Sequence, residues 1–201
     1  MMTTTQESSA STHAAARRAM IDSQLRTSGV NEPWVLAAMA SVAREQFVPP
    51  AMRDAAYIDR AIPLADGRQL ASPLVHGRML AEARPTATDK ALLVGDADGY
   101  LAALLRPLVG SLDALSPEKA KDKRGKGTYS LVVVDGAVEE MPRSFTSLLE
   151  DGGRLVTGLL ERGVTRLAVG TRINGEIALM SVADIGIPVL EEFRAPARWS
   201  F

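Results

Sequence analysis

Between residues 13 and 42 apolar side chains recur at helical spacing, and beyond residue 90 they gather into short unbroken runs. The first pattern belongs to amphipathic helices and the second to buried strands alternating with helices. A first helix is expected from His13 to about Thr27, with Ser11 or Thr12 as its cap and Gly29 closing it. A second is expected over 31–42, where Asn31 can cap and Glu32 and Pro33 suit a first turn. Trp34, Val35, Ala38, Met39 and Val42 supply its apolar face. The run FVPP at 47–50 must be non-helical, because a residue before proline is pushed out of the α region. A short helix fits 51–56, ahead of a turn at Asp66–Gly67.

From Pro73 the pattern changes. LVHGRMLAEA (74–83) reads as a helix ending near Pro85, and ALLV (91–94) as a fully buried strand. Asp98 can cap the helix YLAALLRPLV, whose last turn Pro107 would distort, and SLDAL (111–115) fits a second strand. YSLVVVD (129–135) is the strongest buried-strand signal in the chain. A helix over 141–149, a turn at Gly152–Gly153 and a strand over 154–159 follow. VTRLAVGTRI and EIALMSVADI then flank Asn174–Gly175, the favoured pair for a two-residue type I′ hairpin. The fold class is therefore α/β: a mostly parallel sheet closed by a C-terminal antiparallel hairpin and preceded by a helical region. The expected organisation is a disordered tail over 1–12, the helical region over 13–72 and the α/β domain over 73–201.

Composition narrows the chemistry. The 201 residues include no cysteine, which excludes disulfides, thiolate nucleophiles and cysteine-ligated zinc. The two histidines stand far apart, so no compact metal site is expected. A formal charge of −1 gives no broad reason to expect nucleic acid or an anionic membrane as partner. The first 20 residues lack the apolar stretch of a secretory signal, and no later run has the length of a spanning helix, so a soluble cytoplasmic protein is expected. The basic run over 119–126 lacks interleaved aromatics and reads as a solvated loop.

One segment has the shape of a ligand site. ALLVGDADGY (91–100) is a strand, turn and helix in the place where open α/β sheets bind nucleotides. Gly95 and Gly99 allow a ligand close to the backbone, with Asp96, Ala97 and Asp98 between them. Asp98 can instead satisfy the helix amides itself. An acid that binds ribose is expected about 20 residues after the first glycine, yet Ser116 stands there, and Asp113 or Glu118 could serve only in a shifted register. His76, near the start of a helix and beside Ser72, is either a ligand contact or a satisfied boundary histidine.

These residues resemble a known family. IDSQLRTSGVNEPWVLAAMASV (21–42) and REQFVPPAMRDAAYIDRAIPLADGRQLASP (44–73) resemble the N-terminal region of protein-L-isoaspartate O-methyltransferases. ALLVGDADGYLAALLRPLVG resembles their nucleotide-binding segment, and YSLVVVDGAVEEMP with EDGGRLV their later central strands. The resemblance implies a Rossmann-like sheet, S-adenosylmethionine as cofactor, and methyl transfer to the α-carboxylate of an isoaspartyl protein or peptide. It implies cofactor contacts at Gly95, Asp96, Ala97, Gly99, Asp113 and His76, and roles in catalysis for Ser72 and Asp59.

The family pattern is kept unevenly. Its threonine–isoleucine–serine run is here Gln69, Leu70 and Ala71, so a hydroxyl has become a methyl. Ala97 replaces the central glycine of the loop, and Ser116 replaces the acid. Roughly 30 residues that the family carries before YSLVVVD, holding a helix, a strand and an adenine-contacting segment, are absent. A weakened or inactive methyltransferase is expected, with a non-catalytic binding or structural descendant as the alternative. A different small-molecule enzyme using Asp96 or Asp98 is a remoter possibility.

Overall fold

The computed structural model describes residues 3–196, so Met1 and Met2 of the expected tail lie outside the described residues. The chain divides into two compact units, Met1–Ala81 and Glu82–Phe201.

In the first unit α1 spans Thr3–Met20 and continues through a single π-helical turn, Ile21–Leu25, and a 3₁₀ turn, Arg26–Ser28. It starts well ahead of the expected cap. No proline or glycine interrupts Thr3–Met20, so Ser11 and Thr12 are helix interior, and the backbone of the expected tail is helical from Thr3. Gly29 ends the run as expected, at φ 84°, a left-handed position that glycine takes without strain. Helix α2 covers Pro33–Ser41 and buries Val35, Leu36 and Met39. Its cap position belongs to Glu32 rather than Asn31, and the Glu32 carboxylate accepts the Asn31 amide at 3.1 Å. After two 3₁₀ turns, Arg44–Phe47 and Pro50–Ala55, a small antiparallel ribbon pairs β1 (Ile62–Pro63) with β2 (Gln69–Leu70) around Gly67. Helix α3, Pro73–Ala83, begins in this unit.

Two polar assemblies fix the unit. Arg44 is fully buried: Nε donates to the Ala56 carbonyl at 2.7 Å and Nη2 to the Ala71 carbonyl at 2.5 Å, while Nη1 lies 3.2 Å from Nδ1 of His76. Near α1, Arg17 Nε donates to the Tyr57 hydroxyl at 2.8 Å, and that hydroxyl donates in turn to Glu45. Burial first, then the neighbouring carboxylate, pushes Tyr57 up to about 12.

The second unit is built on six strands: β3 (Lys90–Val94), β4 (Ser111–Leu115), β5 (Tyr129–Val138), β6 (Leu149–Glu161), β7 (Val164–Ile173) and β8 (Glu176–Asp184). Their order is β4-β3-β5-β6-β7-β8. The first four are mutually parallel, and β6-β7-β8 is antiparallel, as the hydropathy pattern implies. Asn174 at φ 53° and Gly175 at φ 84° make the anticipated hairpin turn.

Chain direction dictates the layers. The chain leaves β3 through α4 (Tyr100–Leu105) to reach β4, then returns through α5 (Pro117–Asp122) past β3 to β5. Right-handed crossovers in opposite directions put α4 and α5 on opposite faces. Leu92, Val94, Val132 and Val134 pack with Ala120 of α5 and with Phe145 and Leu148 of α6 (Arg143–Leu148). The sequence of 117–128 resolves into that short helix and an exposed connection after it. Pro107 stops α4 early, at Leu105.

The amino end of the sheet is pinned by Asp89. Its carboxylate accepts from the Thr86 amide and Arg154 Nη2, each at 2.7 Å, and from the Ser130 hydroxyl at 2.7 Å. Burial pushes this acid up, but the Ser130 bond, the Thr86 amide and the Arg154 charge outweigh it and hold the group below the usual carboxylate range. At the other end a C-terminal segment crosses β5. The Ala137 amide donates to Pro188, the Leu190 amide to Ala137, and the Glu139 and Glu140 amides to Phe193. Phe193 stacks edge-on against Phe145 at 5.4 Å.

Candidate functional site

The strand order reverses between β3 and β5, and the carboxyl ends of those strands frame the crevice where such sheets bind ligands. Gly95 extends β3 by one rung, its amide donating to Leu115 at 2.9 Å. A Cβ on Gly95 would lie 3.0 Å from Cβ of Asp135, the acid that closes the apolar part of β5. A Cβ on Gly99 would meet Asp96 at 3.0 Å. At both positions the chain approaches itself closely enough that a side chain would press on its neighbour.

The loop between them is folded inward by its own polar groups. Asp96 Oδ1 accepts the Asp98 amide at 3.0 Å, and the Asp96 carbonyl accepts the Gly99 amide at 3.2 Å. Asp98 therefore does not cap α4; Gly99 holds the cap position without a side-chain bond. Ala97 is exposed and outside the left-handed region, so its methyl brings no backbone strain, and its carbonyl accepts from Arg106 at 3.0 Å. Asp96 and Asp98 are both exposed. The loop presents two carboxylates to solvent beside the strand ends.

The other wall differs. Among the described residues β4 pairs with β3 alone and forms the sheet's edge. Ser116 follows it directly and caps α5 by position, without a side-chain bond. Asp113 sits mid-strand opposite Leu92, and its carboxylate accepts the Tyr129 hydroxyl at 2.8 Å. Burial and that bond push Tyr129 up to about 12. Asp113 is thus placed as a tie across β3 and lies two residues short of the strand end. Glu118 falls in the first turn of α5 and is exposed.

The candidates from the N-terminal block lie in the first unit. His76 is fully buried against Arg44, which fits the boundary-histidine alternative. Ser72 is 7% exposed, and its carbonyl accepts the His76 amide at 3.3 Å, so it serves the start of α3. Ala71 is buried and gives its carbonyl to Arg44. Asp59 is exposed.

Sequence reasoning passed over two neighbours of the crevice. Asp135 was legible as the acid ending YSLVVVD. Leu190 was not, because its place on Gly136, where a Cβ would sit 2.5 Å from its Cγ, depends on the C-terminal segment folding back.

A doubly wound sheet, a glycine-bounded turn at its switch point and a terminal antiparallel pair define the fold of Rossmann-like methyltransferases. Comparison with known proteins carries this to a family. The family model described as protein-L-isoaspartate(D-aspartate) O-methyltransferase matches residues 15–122. A protein-L-isoaspartate O-methyltransferase 1 of Rhodopseudomonas palustris is 29% identical over 203 positions, covering 88% of this chain and 83% of the relative. A protein-L-isoaspartate O-methyltransferase 2 of an Anaeromyxobacter species is 32% identical, covering 79% and 76%. A Plasmodium falciparum crystal structure, assigned to the same enzyme and in complex with S-adenosyl-L-homocysteine, superposes with a TM-score of 0.71. It is 17% identical and covers 90% of this chain and 98% of that one. The chain belongs to the protein-L-isoaspartate O-methyltransferase family, whose methyl donor is S-adenosylmethionine. The 203 aligned positions exceed the 201 residues present here, although they span 88% of them. The relative therefore carries residues that have no counterpart in this chain.

Proposed function

We propose that this protein transfers methyl groups from S-adenosylmethionine to isoaspartyl carboxylates, with a weakened hold on the adenosyl part of the donor. The carrying observation is the exposed edge at β4, which ends in Ser116 with no further strand beside it among the described residues. Whether the donor fits is answered differently at its two ends. The exposed carboxylates of Asp96 and Asp98 suit the ammonium of its aminoacyl end. The ribose end finds a serine where two hydroxyls require a carboxylate, and Asp113 is held by Tyr129. An unpaired ribose hydroxyl costs about 1–3 kcal/mol, or roughly 5- to 150-fold in affinity.

Once bound, the donor would supply an activated methyl on a sulfonium, and the acceptor carboxylate is already nucleophilic. The chain's task is thus alignment and exclusion of water, with little proton transfer. Gly95 and Gly99 keep the strand ends close enough to shape the crevice floor. Asp59, exposed, and Ser72, at the start of α3, are the residues of the N-terminal block to which we assign roles in catalysis.

The test is incorporation of labelled methyl from S-adenosylmethionine into an isoaspartyl peptide, with the matched aspartyl peptide as control. Slow, isoaspartyl-specific transfer that rises with donor concentration into the millimolar range is expected. Absence of transfer at saturating peptide and millimolar donor would instead favour a non-catalytic descendant, to which the loss of a hydroxyl at Ala71 already lends support.

A further inference from the structure

The second unit has two open sheet edges, and they are guarded differently. Among the described residues β4 and β8 each pair on one side only. An open edge offers a row of amides and carbonyls to another strand, and charges, prolines or bulges along it discourage that pairing. β4 is five residues long and carries Asp113 at its centre. β8 runs for nine residues, Glu176–Asp184, and from Ile177 to Ser181 it holds no charge, proline or glycine. Its irregularity comes at Val182, an extra residue between Ser181, which faces Ala168, and Ala183, which faces Leu167. A straight, uncharged stretch therefore lies between Glu176 and the bulge.

The sheet face beside this edge is apolar and uncovered. Ile177 and Leu179 pack inward on the core that holds Val134 and Phe145. Alternation sends Ala178 and Met180 to the opposite face, where both are exposed, Met180 to 64%. Met180 stands beside half-buried Val169, and Ile173, on the same face of β7, is 57% exposed.

We propose that β8 is a self-association surface, on which two copies of this chain join their sheets edge to edge. The two β8 strands run antiparallel about a two-fold axis at Leu179. This inference does not rest on the function proposed above.

Self-pairing fits the edge better than any foreign strand need do. An antiparallel contact between identical strands uses the same surface twice and closes at two copies. With the axis at Leu179, the straight stretch matches itself: Ile177 stands opposite Ser181, Ala178 opposite Met180, and Leu179 opposite Leu179. Each exposed Met180 then packs over the small Ala178 of the second copy. Charge selects the same register. An axis at Met180 would set Glu176 of each copy against Asp184 of the other, and like charges directly opposite destabilise a strand pair. With the axis at Leu179, Glu176 faces Val182 instead. Asp184 is brought towards Asn174, whose side-chain amide can donate to a carboxylate. Registers one residue out would set inward side chains against outward ones.

Area sets the strength of the contact. Nine residues at about 3.4 Å each, on a sheet roughly 10 Å thick, offer roughly 300 Å² per partner, against roughly 800 Å² in a standard stable interface. The dimer is accordingly weak and concentration-dependent. It lies three strands from β5 and takes no part of the crevice between β3 and β5.

The experiment is sedimentation velocity on the full-length protein from low micromolar to near-millimolar concentration. A monomer–dimer equilibrium is expected, with a Kd between about 10 μM and 1 mM. The double variant Ala178→Lys with Met180→Lys changes exposed side chains alone and sets like charges across the axis, so it should weaken association by about tenfold or more. Cross-linking reads the register independently, because the chain has no cysteine of its own. Under mild oxidation Leu179→Cys should form a disulfide dimer faster than Met180→Cys, although Met180 is the more exposed. A monomer at every concentration, or a dimer undiminished in the double lysine variant, would overturn the proposal. Faster cross-linking at Met180→Cys would overturn it too, as would growth beyond the dimer, which is what β8 meeting β4 of the next copy would produce.

Discussion

At the scale of single residues, the groups that matter most for stability are polar ones inside the fold. Asp89 ties Thr86, Ser130 and Arg154 together where β3 and β5 begin beside β6. Asp89→Ala takes a buried carboxylate away from three part-buried donors and is expected to cost about 1–3 kcal/mol, read as a lowered denaturation midpoint in urea. The pH dependence follows from the direction of its shift. A carboxylate held below its unfolded value contributes stability above the unfolded pKa and loses it as pH falls through the folded one. Acid unfolding of Asp89→Ala should accordingly be less steep than that of wild type below about pH 4. The two shifted tyrosines work at the opposite end. Tyr57 and Tyr129 are each raised from 10.0 to about 12, so their contribution is whole below the unfolded value and vanishes as pH rises through the folded one. Phenolate absorbance should show these two ionising late, in step with alkaline unfolding, and Tyr129→Phe should remove one of the late transitions.

At the scale of elements, the strands were legible because buried strands must be apolar on both faces, and ALLV and YSLVVVD have no other stable environment. The hairpin was legible because only a few residues accept two successive positive φ angles. Helix starts were not, since Ser11, Thr12, Asn31 and Asp98 are capable caps that other contacts overruled. Asp98 lost the role when its own amide was taken by Asp96, and Asn31 when Glu32 bent back to it. The same kind of local competition bears on Asp113: as a mid-strand acid facing Tyr129 it already accepts that hydroxyl. Two predictions belong at this level. Gly136→Ala drives a methyl into Leu190 and should loosen the segment over 187–193, costing about 1–3 kcal/mol and exposing its amides to hydrogen exchange. Ser116→Asp should recover only the lower end of the ribose penalty, about 5-fold in donor affinity, because a carboxylate at an open sheet edge gains no wall to hold adenine; a gain approaching 150-fold would show that the missing acid alone explains the weakness.

At the scale of the whole molecule, the chain keeps the family's fold, and among the described residues β4 stands at the sheet's edge with only a short connection from it to β5. In that connection α5 supplies the return crossover and lays Ala120 on the face that Leu92 and Val94 present. Fold was therefore readable from periodicity, and family from the block over 44–73. The site was only half readable, since glycine spacing marks a turn and cannot reveal that Asp96 takes the Asp98 and Gly99 amides. The central claim, that a shortened edge weakens the donor's adenosyl contact while leaving its aminoacyl end a place, meets its most direct test in calorimetric titration of S-adenosyl-L-homocysteine into this protein and into an unshortened relative. One-to-one binding is expected here, weaker than in the relative by about 5- to 150-fold. Equal affinity in the two proteins would contradict it.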